Sequence, residues 1–265
     1  MSSKTSLLWK LSLPGSGYCS YLFGTMHIRD QRAFNGLDKV FACIDACQSF
    51  ALEIDLNEEE GPAGAMAFRF PGHSSLFDHL STRAYCRLRR IILKAFEVDI
   101  HYFGHFTPIA LTEIITGKVL AEDHPLFLDA FLWEYASEKG KDTSGIETRE
   151  EQFALLKRIP LEEQIKTLRD IGRNTARFRA MLHKMAEVYQ KGDLINLYHL
   201  SRKSAGSLRK WMLFDRNRIM AERIAQKIRG QSVFCGVGAA HLWGGKGVLR
   251  LLKQRGILVE PVHLV

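Results

Sequence analysis

Two tetrapeptides, Gly24-Thr-Met-His27 and Gly238-Ala-Ala-His241, share the pattern Gly-x-x-His, and each begins where an apolar run ends. Glycine permits a tight turn and close backbone approach. A histidine three residues on can then reach across the carboxyl ends of strands, where open α/β sheets bind ligands. Ten histidines and 21 glycines make one such spacing unremarkable. Two in equivalent settings are much less easily accidental. Glu53, in Phe50-Ala-Leu-Glu-Ile-Asp55, adds a carboxylate among apolar neighbours, which is costly unless it is paired or bound to a cation. Two imidazoles and a carboxylate form a common metal set that leaves coordination open for water. The same residues also suit a metal-free reading, in which one histidine activates water and Glu53 orients it. A plain edge-strand acid at Glu53, with Asp55 on the same face, is the structural alternative.

These residues need a sheet. Tyr18–Phe23 reads as a strand ending at Gly24, and Phe34, Leu37, Val40, Phe41, Ile44 and Cys47 recur at helical spacing. Ser49–Ile54 then reads as a buried strand. The carboxyl end repeats this order: a strand over Ser232–Val237, a short helix over Gly247–Arg255, a helix-ending Gly256 and a strand over Ile257–Val262. Two β-α-β units imply parallel strands in one sheet. The expected architecture is α/β, with a central, mainly parallel sheet built from the two chain ends and a large helical insertion. It forms one domain over 1–265, with a core of 1–57 and 231–265 and an insertion over about 58–230. Expected helices of the insertion are Leu76–Val98, Pro108–Leu120, Pro125–Lys139, Glu150–Ile171, Thr175–Gly192 and Leu208–Arg229. A strand near 142–147 returns to the sheet.

On the helix Leu208–Arg229, Asn217 falls within the stripe of Leu213, Met220, Ala221, Ile224 and Ile228. A buried asparagine must find hydrogen-bond partners, so it anchors a neighbouring loop. Arg216 lies at the edge of the stripe, placed either to steady an oxyanion or to be solvated or salt-bridged. Glu147, ending the third strand, is a second acid or an orienting partner; a capping role fits it equally. His73, His79, His101, His105 and His124 lie in the insertion, with no second metal site expected.

Over 265 residues the chain is 46% hydrophobic and 25% charged, with a net charge of +8. Those values fit a globular protein and favour acidic partners without excluding an enzyme. Its apolar runs fall far short of the ~20 residues that span a bilayer. The amino terminus lacks a leader's apolar region. A cytoplasmic protein, or an exported one lacking its leader, is expected. Five cysteines with no CxxC pair read as buried thiols. The basic runs Arg83–Lys94 and Arg202–Arg218 read as solvated helix faces, so no nucleic-acid partner is expected.

Several segments together resemble the TraB/PrgY/GumN family. They are Leu8-Trp-Lys-Leu, Ser20-Tyr-Leu-Phe-Gly-Thr-Met-His27, Leu52-Glu53, Gly145-Ile-Glu147-Thr with Glu151-Gln152, Arg216-Asn217 and Val237-Gly-Ala-Ala-His241-Leu. The family's relatives include Tiki proteins, described as manganese or cobalt metalloproteases, erythromycin esterases and ChaN-like haem-binding proteins. The resemblance implies a metal-dependent hydrolase acting on a peptide or small ester. His27, His241 and Glu53 would be its ligands, with manganese or cobalt favoured over zinc. Glu53, Arg216 and Glu147 would be catalytic, and Gly24, Gly238, Asn217 and Gln152 would support them. A metal-free esterase and a non-catalytic peptide- or haem-binding protein are the rival readings. A homodimer through exposed insertion helices is compatible with all three. The Trp-Gly-Gly after Leu242 departs from the family pattern, and no membrane-spanning tail of the TraB kind is expected.

Overall fold

The computed structural model describes residues 6–58, 68–72 and 74–264, so His73 and the first five residues lie outside the described residues. The chain divides into two compact units, Met1–Glu59 with Glu122–Gln152 and Met185–Val265, and Glu60–Ala121 with Phe153–Lys184.

The first unit is built on six strands: β1 Leu8–Ser12, β2 Ser20–Thr25, β3 Ser49–Leu52, β4 Asp142–Gly145, β5 Val233–Gly238 and β6 Leu258–Val262. They form one sheet in the order β4-β3-β5-β2-β1-β6. The neighbours from β4 to β2 pair in parallel, whereas β1 runs antiparallel to both β2 and β6. Every residue of β3 is buried and β5 is buried through Val237, as befits short apolar strands covered on both faces. Phe50 and Phe234 stack across these two strands with ring centroids 5.6 Å apart.

The four strands expected from the chain ends do share one sheet. The predicted pairing at the carboxyl end is corrected: β6 does not lie beside β5 but is separated from it by β2 and β1. The crossover helix Val248–Lys253 carries the chain past two strands, and β1 takes the place expected of a neighbour. β1, reading Leu-Trp-Lys-Leu-Ser, and the helix Leu194–Ala205 both escape a reading by periodicity. The expected helix over Glu150–Ile171 is two helices, Arg149–Lys157 and Leu161–Arg173, because Pro160 lacks the N–H that would continue the first. The expected Leu208–Arg229 helix is a π-helical turn, Lys210–Asp215, followed by α9, Arg216–Gly230. Such turns insert an extra residue and often mark functional sites.

The second unit is helical. Thr82–Phe96 buries Tyr85, Leu88, Ile92 and Phe96 on one face. Helix α6, Leu161–Arg173, buries Gln164, Leu168 and Ile171. Within this unit Gln164 accepts the Ile109 N–H at 3.3 Å and donates to the Ile159 carbonyl at 3.0 Å, so its buried amide is satisfied.

Candidate active site

β3, β4 and β5 end side by side, and their carboxyl ends gather six polar side chains: Glu53, Glu147, Gln152, Arg216, Asn217 and His241. Backbone pairing carries on past the strands: the Ile146 and Glu147 N–H groups donate to the Leu52 and Glu53 carbonyls, each at 2.7 Å. That register sets Glu53 beside Glu147. It depends on Gly145, where a Cβ would stand 2.7 Å from the Glu147 oxygen and 2.8 Å from the Asp55 nitrogen, both backbone atoms.

Two adjacent carboxylates in a half-buried place repel unless a cation separates them. Arg216, the first residue of α9, supplies it. Its Nε and Nη2 donate to Glu147 Oε2 at 3.0 and 2.7 Å, and Nη2 also donates to Glu53 Oε2. Gln152 Nε2 donates to Glu147 Oε2 at 3.1 Å. Glu53 Oε1 accepts the Gly238 N–H at 2.6 Å. Gly238 permits this approach, since a Cβ there would lie 3.1 Å from Glu53 Oε1. Burial alone would raise the Glu53 carboxyl, but Arg216, His241 and the Gly238 N–H overcome it and hold the group at about 2. Arg216 is in turn held above its ordinary value: burial opposes its charge, and the two carboxylates outweigh burial.

His241 is buried, and Asn217 decides its tautomer. Asn217 Nδ2 lies 2.7 Å from the Lys246 carbonyl, which can only accept, so the amide oxygen faces His241 Nδ1 at 2.6 Å. Nδ1 must therefore carry the proton, leaving the lone pair on Nε2. Burial, followed by the Arg216 charge, pushes the imidazole down to about 4 against the pull of Glu53. Nε2 and Glu53 Oε1 face each other 3.8 Å apart. Both are acceptors at neutral pH. They are complementary to a molecule that donates two hydrogens, such as water, or to a cation.

His27 is elsewhere. Gly24, the last residue but one of β2, packs under Ala239 and Leu242, and its carbonyl accepts the buried Tyr189 hydroxyl at 2.8 Å. The His27 side chain, 71% exposed, lies 3.1 Å from Asp129 Oδ2, and its ring stacks on Phe127 with centroids 4.1 Å apart. Among the described residues no three His, Cys, Asp or Glu side chains gather closely enough to hold a metal ion. As folded, His27, Glu53 and His241 thus do not fit a three-ligand metal site, and Arg216 already supplies a cation to the carboxylates. Reasoning from sequence overlooked three contributors: Asp129 and Phe127 around His27, and Tyr189 beneath Gly24. Only Phe127-Leu-Asp129 carried a signal, as an aromatic and an acid opening a helix.

The sequence profile of the TraB/PrgY/gumN family matches residues 7–261. The chain belongs to that family. It is 23% identical to "Metalloprotease TIKI2" of Danio rerio, over 96% of this chain and 60% of the relative. It is 21% identical to "Metalloprotease TIKI homolog" of Amphimedon queenslandica, over 99% of this chain and 62% of that protein. The chain thus spans about three fifths of the length of these curated relatives. No solved structure matches it. No helix among the described residues is long and apolar enough to cross a membrane.

Proposed function

We propose that this TraB/PrgY/gumN protein is a hydrolase that cleaves peptide or small-ester bonds with water activated between His241 and Glu53. The observation that carries this reading is the pair of facing acceptors, His241 Nε2 and Glu53 Oε1, 3.8 Å apart at the strand ends. A water donating one hydrogen to each presents its lone pairs outward. As it attacks the carbonyl carbon, a C–O bond forms and His241 Nε2 takes the proton. Collapse of the tetrahedral species breaks the bond to the leaving nitrogen or oxygen, which receives that proton from Nε2–H. Arg216 Nη1, the guanidinium nitrogen with no hydrogen bond among the described residues, is the donor available to the developing oxyanion. A base near 4 is unprotonated at neutral pH, which secures the lone pair at a cost in basicity.

The two relatives, both metalloproteases, favour a second reading, the same hydrolysis carried out with a metal ion; the family resemblance points to manganese or cobalt before zinc. It requires His27 to leave Asp129 and join His241 and Glu53. One experiment separates the two. Protein purified without an affinity tag is assayed for bound metal and for cleavage of a peptide library and a panel of small esters, with and without chelator and manganese. Turnover that survives chelation supports the His241–Glu53 reading. Turnover lost to chelator and restored by manganese supports the metal reading. Wild-type protein that cleaves neither peptides nor esters under any of these conditions rules out the hydrolase.

A further inference from the structure

The net charge of +8 is unevenly placed. The helical unit, Glu60–Ala121 with Phe153–Lys184, carries fifteen lysines and arginines against eight acids, a net of +7. The sheet unit carries twenty-two against twenty-one, a net of +1. Almost all the excess thus lies outside the unit that holds the candidate active site.

Part of it converges on a cavity. On α6, Lys166, Arg169 and Arg173 follow at spacings of three and four, so all three project from one side of the helix. Like charges at these spacings repel and weaken an isolated helix, so nothing about forming the helix calls for them. With Glu162, Ile165 and His79 they line a pocket of about 260 Å³. His79 comes from a separate turn, Leu76–His79, where its ring stacks on Phe70 and Nε2 lies 3.2 Å from Ser74 Oγ. Among the described residues Lys166 and Arg173 pair with acids of their own helix, half-buried Glu163 at 3.7 Å and exposed Asp170 at 2.9 Å. Pairs whose cation is exposed, as both of these are, are weak and readily exchanged for a better anion.

We propose that this pocket of the helical unit binds a small phosphate monoester. Two arginines and a lysine against the single carboxylate of Glu162 leave a net charge of +2, which matches a dianion, and the guanidinium fork fits phosphate oxygens two at a time. Ile165 gives the wall an apolar strip for the organic part of an ester. The volume is below that of ordinary drug-sized pockets, ~300–1,000 Å³, which favours a small molecule over a polymer. The proposal is independent of the hydrolase reading, because none of its residues belongs to the Glu53–His241 cluster.

The test is calorimetric titration of the full chain with glycerol 3-phosphate, inorganic phosphate and citrate at constant ionic strength. Saturable one-to-one binding of glycerol 3-phosphate, tighter than that of the other two, is expected. Arg169→Gln with Arg173→Gln should weaken it at least tenfold while the circular dichroism spectrum is unchanged. Arg83→Gln with Arg87→Gln removes the same charge from exposed positions on Thr82–Phe96 and should change affinity less than twofold. Non-saturable binding overturns the proposal, as does equal loss in both double variants, which would mark a diffuse field and not a pocket. Citrate binding as tightly as glycerol 3-phosphate overturns the phosphate assignment.

Discussion

The ends of β2 and β5 carry the same Gly-x-x-His tetrapeptide and treat its histidine in opposite ways. His241 is buried, fixed in one tautomer by Asn217 and set against Glu53. His27 is exposed, stacked on Phe127 and facing Asp129. Local sequence is therefore not what makes one histidine a candidate base. β5 lies between β3 and β2, so its end meets Glu53 from β3 and Asn217 and Arg216 from α9. β2 lies one strand farther out, next to the antiparallel β1. Position in the strand order decides which partners each histidine finds.

The largest expected effect tests that contrast directly. His241→Ala should lower turnover about 10²–10⁴-fold, the range for removing a general base. His27→Ala should lower it less than tenfold if the metal-free reading holds. Steady-state cleavage by the two variants, each shown to be folded, decides it. Comparable large losses at both positions would erase the contrast and require the two histidines to act together.

Stability gives the second contrast. Arg216→Met leaves Glu53 and Glu147 side by side without their cation, and breaking a buried ion pair in this way costs about 3–5 kcal/mol. Asp129→Ala removes the partner of an exposed histidine and should cost under ~1 kcal/mol. Urea denaturation of the three proteins measures both. If Arg216→Met is as stable as wild type, the carboxylates are not held by Arg216 as described. The double variant Glu147→Gln with Arg216→Met should recover part of the loss, since it removes one of the stranded charges.

Much of this was legible in the sequence, and the parts that were not share a cause. The strand-end positions of Gly24, Gly238 and Glu53 follow from apolar runs and glycine spacing, and the burial of Asn217 follows from helical periodicity. The landing place of β6 does not, because a crossover helix shows only that a strand follows, not how many strands it passes. Arg216 presents a similar limit. Its place at the edge of an apolar stripe is visible, but the clasp on two carboxylates requires knowing that β3 and β4 are neighbours in register. The turning of His27 toward Asp129 is likewise a fact of packing between segments a hundred residues apart in sequence.

The smallest expected effect is on the pH dependence of stability. His241 is depressed in the folded chain from its ordinary 6.5 to about 4. Between those values the unfolded chain binds more protons, so stability rises with pH there. The contribution is fully present above about 6.5 and is lost as pH falls through about 4. Glu53, lowered from 4.5 to about 2, acts with the same sign in a lower window, losing its contribution as pH falls from about 4.5 through 2. The two groups can therefore be separated by range. Between pH 6.5 and 4.5 the histidine slope stands nearly alone, at most about 1.4 kcal/mol per pH unit for one proton. His241→Gln removes the titrating group while keeping a side chain able to face Asn217. Denaturation midpoints measured across that window should fall more steeply with acid in the wild type than in His241→Gln. Equal slopes would mean that His241 titrates alike in the folded and unfolded chains, and the buried, neutral imidazole that distinguishes the β5 end from the β2 end would be lost.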